Sequence, residues 1–180
     1  MHALHTLRCT LEPLVAAHAA EMFTVLSDPA IYEFENAPPV SEEWLTRRYE
    51  ALERRSSLDG QEQWLNWVVR MPGGELAGYV QATVLPSAAA RVAYVLGSRY
   101  WRQGIGRSAV AAMLAELRSE YGVHTFAAVL KVGNFRSLGL LRSLGFSPAS
   151  AQQAAELGGA PDELVMVRAG AEPAISGALR

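Results

Sequence analysis

Trp101-Arg102-Gln103-Gly104-Ile105-Gly106-Arg107-Ser108 joins an apolar strand to an amphipathic helix. Upstream, Val92-Ala93-Tyr94-Val95-Leu96 reads as a strand. Downstream, Val110, Met113, Leu114, Leu117 and Tyr121 recur at helical spacing. Between them, two glycines flank one apolar residue, with arginines on either side. A helix start carries N–H groups without intrahelical acceptors, together with the positive end of the helix dipole. Phosphate groups bind such an end readily. An isolated Gly-x-Gly also marks an ordinary tight turn, and Arg102 and Arg107 also suit a solvated surface.

The 180 residues fit one domain, and 50% of them are apolar, enough for a sizeable core. A net charge of −2 leaves no basic surplus of the kind that nucleic-acid binding needs. Cys9 is the single cysteine, which excludes an intramolecular disulfide framework and fits a reducing cytoplasm. No apolar run reaches membrane-spanning length, and no signal peptide is read at Met1 to His5. His2, His5, His18 and His124 lack partners at ligand spacing, so no metal site is expected.

Taken in order, residues 4–10 read as a strand, and Thr10 as the N-cap of a first helix that ends at Ser27-Asp28-Pro29. Ser41 caps a second helix, with Glu42 and Glu43 in its first turn. Residues 64–70 and 76–85 form a hairpin across Pro72-Gly73-Gly74-Glu75. Residues 91–97 are the strand that feeds the glycine loop, and Gly122 ends the helix leaving it. Thr125 to Leu130 is a buried strand. Asn134 caps a helix through Leu144, stopped by Gly145. Residues 151–157 fit either a weak strand or a helix, and Asp162 to Arg168 is a last strand. The strand–helix–strand unit from 92 to 130 should be parallel. The expectation is one domain over 1–169 and a mobile tail over 170–180.

Three pieces in this order are similar to the GNAT N-acetyltransferase family: Gln103-Gly104-Ile105-Gly106, Asn134-Phe135-Arg136-Ser137, and Leu144-Gly145-Phe146. Leu7-Arg8, Leu26-Ser27-Asp28-Pro29, Tyr94 and Trp101 resemble its ribosomal-protein N-terminal acetyltransferase (RimJ/RimL-like) branch. The resemblance spans roughly residues 5 to 168 and implies an α/β (α+β) fold. A mixed central sheet of six to seven strands would be flanked by about four helices, with a splayed parallel pair holding the coenzyme A arm. It also implies acetyl-CoA as cosubstrate and an amine acceptor, either a protein N-terminus or a small molecule. Neither nucleic acid nor a membrane is an expected partner, and a homodimer is compatible with the family.

Laid on residues, the resemblance implies that the N–H groups of Gln103, Gly104, Ile105, Gly106 and Arg107 hold the pyrophosphate. Arg102, Arg107 and Ser108 lie beside it. Gly104 and Gly106 would let the phosphate approach the backbone, Val95 and Leu96 would pair with the pantetheine arm, and Asn134 and Ser137 would lie near the sulfur. Asn134 is equally a helix cap, and Ser137 an ordinary first-turn residue. The family often has a tyrosine seven residues after the asparagine and a glutamate three before the strand tyrosine; this chain has Leu141 and Arg91. Ser137 is therefore the candidate acid. Glu33 and Glu35 are candidate bases acting through water, though both also suit a solvated surface. Tyr32, Phe34, Trp64 and Trp67 are candidates for the acceptor wall, the tryptophans also fitting the core. The competing reading is a degenerate acyl-CoA sensor or interaction module without efficient transfer.

Overall fold

The computed structural model describes residues 1–34, 37–157 and 160–169. Glu35, the Gly158-Gly159 turn and the 170–180 tail lie outside the described residues.

Residues 4–10 form a reversal rather than one strand. The Thr6 hydroxyl accepts the N–H groups of Arg8 at 3.1 Å and Cys9 at 3.0 Å and donates to the Cys9 carbonyl at 2.8 Å. Such a side-chain turn substitutes for strand hydrogen bonds. It separates β1 (Leu4–His5) from β2 (Thr10–Pro13), so Thr10 opens a strand instead of capping a helix. The first helix starts later, as a tight turn at Ala16–His18 leading into α1 (Ala19–Leu26). α2 is Glu42–Leu52, and the Ser41 hydroxyl accepts the Trp44 N–H as expected.

Strands β3 (Gln63–Arg70), β4 (Leu76–Val84) and β5 (Ala89–Leu96) follow as an antiparallel meander. α3 (Ile105–Tyr121) leaves the glycine loop and ends at Gly122, whose φ of 64° is left-handed. Then come β6 (Thr125–Lys131), α4 (Phe135–Ser143), β7 (Ser147–Pro148), α5 (Ala151–Leu157) and β8 (Glu163–Ala169). Residues 151–157 are thus helical. Among the described residues the sheet has eight strands in the order β1-β2-β3-β4-β5-β6-β8-β7. That exceeds the expected six to seven because of the β1–β2 split and the two-residue β7.

Alternation along the strands divides the core between the two faces of the sheet. On one face Trp67, Val69 and Val80 pack with Ala109, Val110, Met113 and Leu117 of α3. On the other, Val68 and Leu76 pack with Ala19, Met22 and Leu26 of α1 and with Leu45 and Tyr49 of α2. Cys9 is buried, and burial pushes its thiol up, the wrong direction for a nucleophile. No helix among the described residues is long and apolar enough to cross a membrane.

Candidate active site

β5 and β6 are parallel, but they pair only over Ala89–Thr125, Ala90–Phe126 and Arg91–Ala127. Beyond Arg91 the strands diverge. β6 turns its other edge to β8 and β5 stays paired with β4 up to Leu96. The result is a gap on the β6 side of β5. Val95 turns its carbonyl oxygen toward Gly78 of β4, and the Gly97 N–H donates to Ala77 O at 2.9 Å. Strand alternation then aims the main-chain groups of Tyr94 and Leu96 into the gap. The main-chain groups of Val95, expected in the gap, thus face β4, and those of Tyr94 and Leu96 are the ones open to the gap. The Leu96 carbonyl already accepts the Trp101 indole N–H at 2.8 Å.

The glycine loop closes one end of this gap. Arg102 (φ 59°) and Gly104 (φ 74°) are both left-handed, which is how the chain turns sharply enough to enter α3. The N–H groups from Gln103 to Arg107 find no acceptor among the described residues; the first paired one is that of Ser108, onto Gly104 O at 3.0 Å. The loop is braced from outside, because the Gln103 side chain donates to Arg99 O at 2.6 Å and Arg8 donates to Gln103 O at 3.0 Å.

The glycines also answer to packing within the chain. A Cβ on Gly104 would meet the Arg8 guanidinium at 3.3 Å. On Gly106 it would meet Leu140 at 3.0 Å and Leu96 at 3.2 Å, so this glycine lets α3 approach α4 and β5. Ile105 is buried core, and Ser108 is half-buried outside the cavity lining.

A cleft of about 480 Å³ runs from this loop along β5 to α4, lined among others by Leu96, Arg102, Gly104, Arg107, Asn134 and Ser137. A second cavity of about 490 Å³ opens between α2 and the β3–β5 face. Both are lined by Ile31, Phe34, Tyr94, Val95, Asn134 and Ser137, so the two spaces meet there. At that junction the Tyr94 and Ser137 hydroxyls lie 2.7 Å apart. Burial pushes Tyr94 up to about 12, with the Ser137 bond pulling the other way. Both groups stay protonated near neutral pH. Asn134 caps α4 by accepting the Ser137 N–H at 3.0 Å, which fixes where the serine stands.

Glu33 is not at this junction. Its carboxylate is half-exposed, pairs with Arg136 and lines neither cavity. Arg136 also lies over the Trp101 ring at 4.3 Å and the Phe34 ring at 5.6 Å, tying α4 to the loop and to the segment after α1. Of the expected acceptor-wall aromatics, Tyr32 and Phe34 line the second cavity, and burial pushes Tyr32 up to about 12. Trp64 donates to Glu62 and Trp67 is fully buried on the opposite face; neither lines a cavity. Trp44, Tyr49, Asn66, Tyr79 and Gln81 do line the second cavity and were not legible as site residues. Leu141, in place of the usual tyrosine, is buried against the same space.

A strand splayed from its parallel neighbour, a helix start with free N–H groups and a cleft joining the two form a known arrangement. Residues 8–147 match the family model described as an acetyltransferase (GNAT) domain. The chain belongs to the GNAT acetyltransferase family. Solved structures agree in fold. The ribosomal L7/L12 alpha-N-protein acetyltransferase RimL, in complex with coenzyme A, aligns at 17% identity and TM-score 0.78, covering 94% of this chain and 98% of that one. The ribosomal-protein-S5-alanine acetyltransferase of Vibrio fischeri aligns at 18% and 0.75, covering 96% and 98%. A GNAT-family acetyltransferase of Bacillus anthracis aligns at 15% and 0.73, covering 93% and 98%. At these identities the likeness is one of fold. A search of curated proteins finds no match. As a GNAT acetyltransferase, the chain takes acetyl-CoA as its acetyl donor. The free N–H groups, the open edge of β5 and the flanking Arg102 and Arg107 fit that molecule's pyrophosphate and amide-bearing arm.

Proposed function

We propose that this GNAT acetyltransferase moves the acetyl group from acetyl-CoA to a primary amine by direct attack, with an α-amine the preferred acceptor. The observation that carries this is the meeting of the two cavities at Tyr94 and Ser137. The donor's arm enters from one side and the amine from the other, so both reach the same hydroxyl pair. Chain folds like those of RimL and of the ribosomal-protein-S5-alanine acetyltransferase support an acceptor of the protein N-terminal kind.

No carboxylate lines either cavity among the described residues, so base assistance inside is weak. That favours an amine of low pKa. Deprotonating an α-amine (pKa about 7.7–8.0) at pH 7 costs about 1.4 kcal/mol or less, against about 4.6 kcal/mol for lysine. The neutral amine nitrogen attacks the thioester carbonyl, giving a tetrahedral adduct with an ammonium and an oxyanion. As the carbonyl re-forms and the C–S bond breaks, one proton must pass from that ammonium to the departing sulfur. Ser137 and Tyr94 carry it by relay: the first hydroxyl takes the nitrogen's proton and passes its own to the second, which gives its own to sulfur, so both end protonated. A relay suits groups that do not ionise, as the raised Tyr94 requires. Glu33 pairs with Arg136 and helps position the loop over the cleft instead of acting as base. The single buried cysteine suits a reducing cytoplasm.

The test is release of free coenzyme A from acetyl-CoA across an amine panel, with the product mass read for one added acetyl group. Amine-dependent release is expected. Acetyl-CoA that binds but is never consumed with any amine would overturn the transfer reading in favour of a sensor.

A further inference from the structure

The second cavity holds polar side chains that acetyl transfer itself does not use. Asn66 is 7% exposed and lines this cavity, and its side-chain amide has no hydrogen-bond partner among the described residues. Gln81 stands directly opposite Asn66 in the β3–β4 register, and its amide is likewise without a partner among them. Opposed residues of an antiparallel pair have Cβ atoms about 4.5–5.5 Å apart, so the two amides sit side by side on one wall. From α2 comes the Tyr49 hydroxyl, buried and without a partner among the described residues. Native proteins pair nearly all such groups. One such buried hydroxyl, with two unpaired amides open to the same cavity, marks the place of a polar ligand.

The chemistry of that ligand follows from the donor set. An amide side chain presents a carbonyl acceptor and two N–H donors. A peptide group presents one of each and matches an amide pair. An extra ammonium, as in a polyamine, presents donors alone and calls for carboxylates. Among the described lining residues there is no Asp or Glu, and the one charged side chain is Arg48.

We propose that Asn66 and Gln81, with Tyr49, read the acceptor: they hold the first peptide group of an acceptor whose α-amine reaches the Tyr94–Ser137 pair. This rests on the acetyl-transfer reading above. Arg48 adds a bias against acceptors bearing a second positive charge.

Alanyl-alanine amide, propylamine and spermidine serve as probes at saturating acetyl-CoA, with wild type, Asn66→Leu and Gln81→Leu. Each substitution should raise KM for the dipeptide amide about tenfold or more, as sites built to hydrogen-bond a substrate do when a partner is lost. kcat for that acceptor, kcat/KM for propylamine and the Kd of acetyl-CoA should stay unchanged. Equal losses for the dipeptide amide and propylamine would overturn the proposal, as would spermidine being the best wild-type acceptor. Calorimetric binding of the dipeptide amide to the coenzyme A-bound protein separates the two readings. A dipeptide amide bound by wild type, weakened in both variants but never acetylated, refutes transfer and keeps the amide pair. One bound equally by all three proteins, or by none, refutes the amide pair. Gln81→Leu, at a half-buried position, carries the test if Asn66→Leu does not fold.

Discussion

The proposed donor half and the proposed acceptor half of the site are built from different materials. The donor half is mostly main chain: free N–H groups at the start of α3, the open edge of β5 and glycines that let helices close in. The acceptor half is mostly side chain, drawn from α2, β3, β4 and the segment after α1. A backbone-built site depends on conformation, so it tolerates change at most side chains and fails when a turn or a close approach is lost. A side-chain-built site keeps its shape under substitution and changes what it accepts. Among the side chains that line both halves, Tyr94 and Ser137 bring their hydroxyls together.

The largest effect is expected at that shared point. Tyr94→Phe and Ser137→Ala should each lower kcat about a hundredfold, the usual scale for a lost proton-transfer group, with acetyl-CoA affinity nearly unchanged. The double variant should be little worse than either single one, since a relay fails as a unit. Strictly additive losses in steady-state kinetics would break the pair apart.

Next is Gly106→Val, which presses into Leu140 and Leu96. Overpacking of this kind costs about 1–3 kcal/mol. Expressed in the loop, it should weaken acetyl-CoA binding roughly fivefold to 140-fold by calorimetry, at about 1.4 kcal/mol per tenfold. Unchanged binding would show that the donor half does not depend on that approach. Arg8→Ala removes only the brace on the Gln103 carbonyl, worth about 0.5–1.5 kcal/mol, so a roughly two- to twelvefold loss of acetyl-CoA affinity is expected.

The smallest effect concerns stability alone. His18 accepts the Val15 N–H at 3.2 Å, and burial holds its pKa below the usual value despite Glu12 nearby. The folded state thus binds its proton more weakly than the unfolded chain does. This contribution is present above about pH 6.5 and is lost as the pH falls below it. Tm should drop more steeply between pH 7 and 5 in wild type than in His18→Gln, and parallel profiles would remove His18 from that account.

The same contrast explains what could be read before the fold was known. Gly104, Gly122, Asn134 and Gly145 act where they stand, through φ and capping, so the loop and the ends of α3 and α4 were legible. Asn66 and Gln81 become neighbours only through the hairpin register, and Tyr94 and Ser137 only once α4 lies across β5. Nothing local in the sequence announces either pair. The β1–β2 reversal was hidden for a different reason. A threonine hydroxyl makes it without glycine or proline, and residues 4–10 keep strand-like composition on both sides of the bend. Val95 was misjudged through parity, since its neighbours, one step along the strand, face the gap.

The opposition of Asn66 to Gln81 reaches beyond recognition. One residue along each strand, Trp67 opposes Val80, and both are fully buried against α3. Strand parity makes these two rungs mutually exclusive occupants of either face. A single-residue slippage of β3 against β4 would drive the Asn66 amide into the dry interior and bring the Trp67 indole out of it. The polar rung thus sets an energetic penalty against that slipped register. A lineage that replaced it with aliphatic residues to broaden its chemistry would also weaken the penalty that keeps its strands in step.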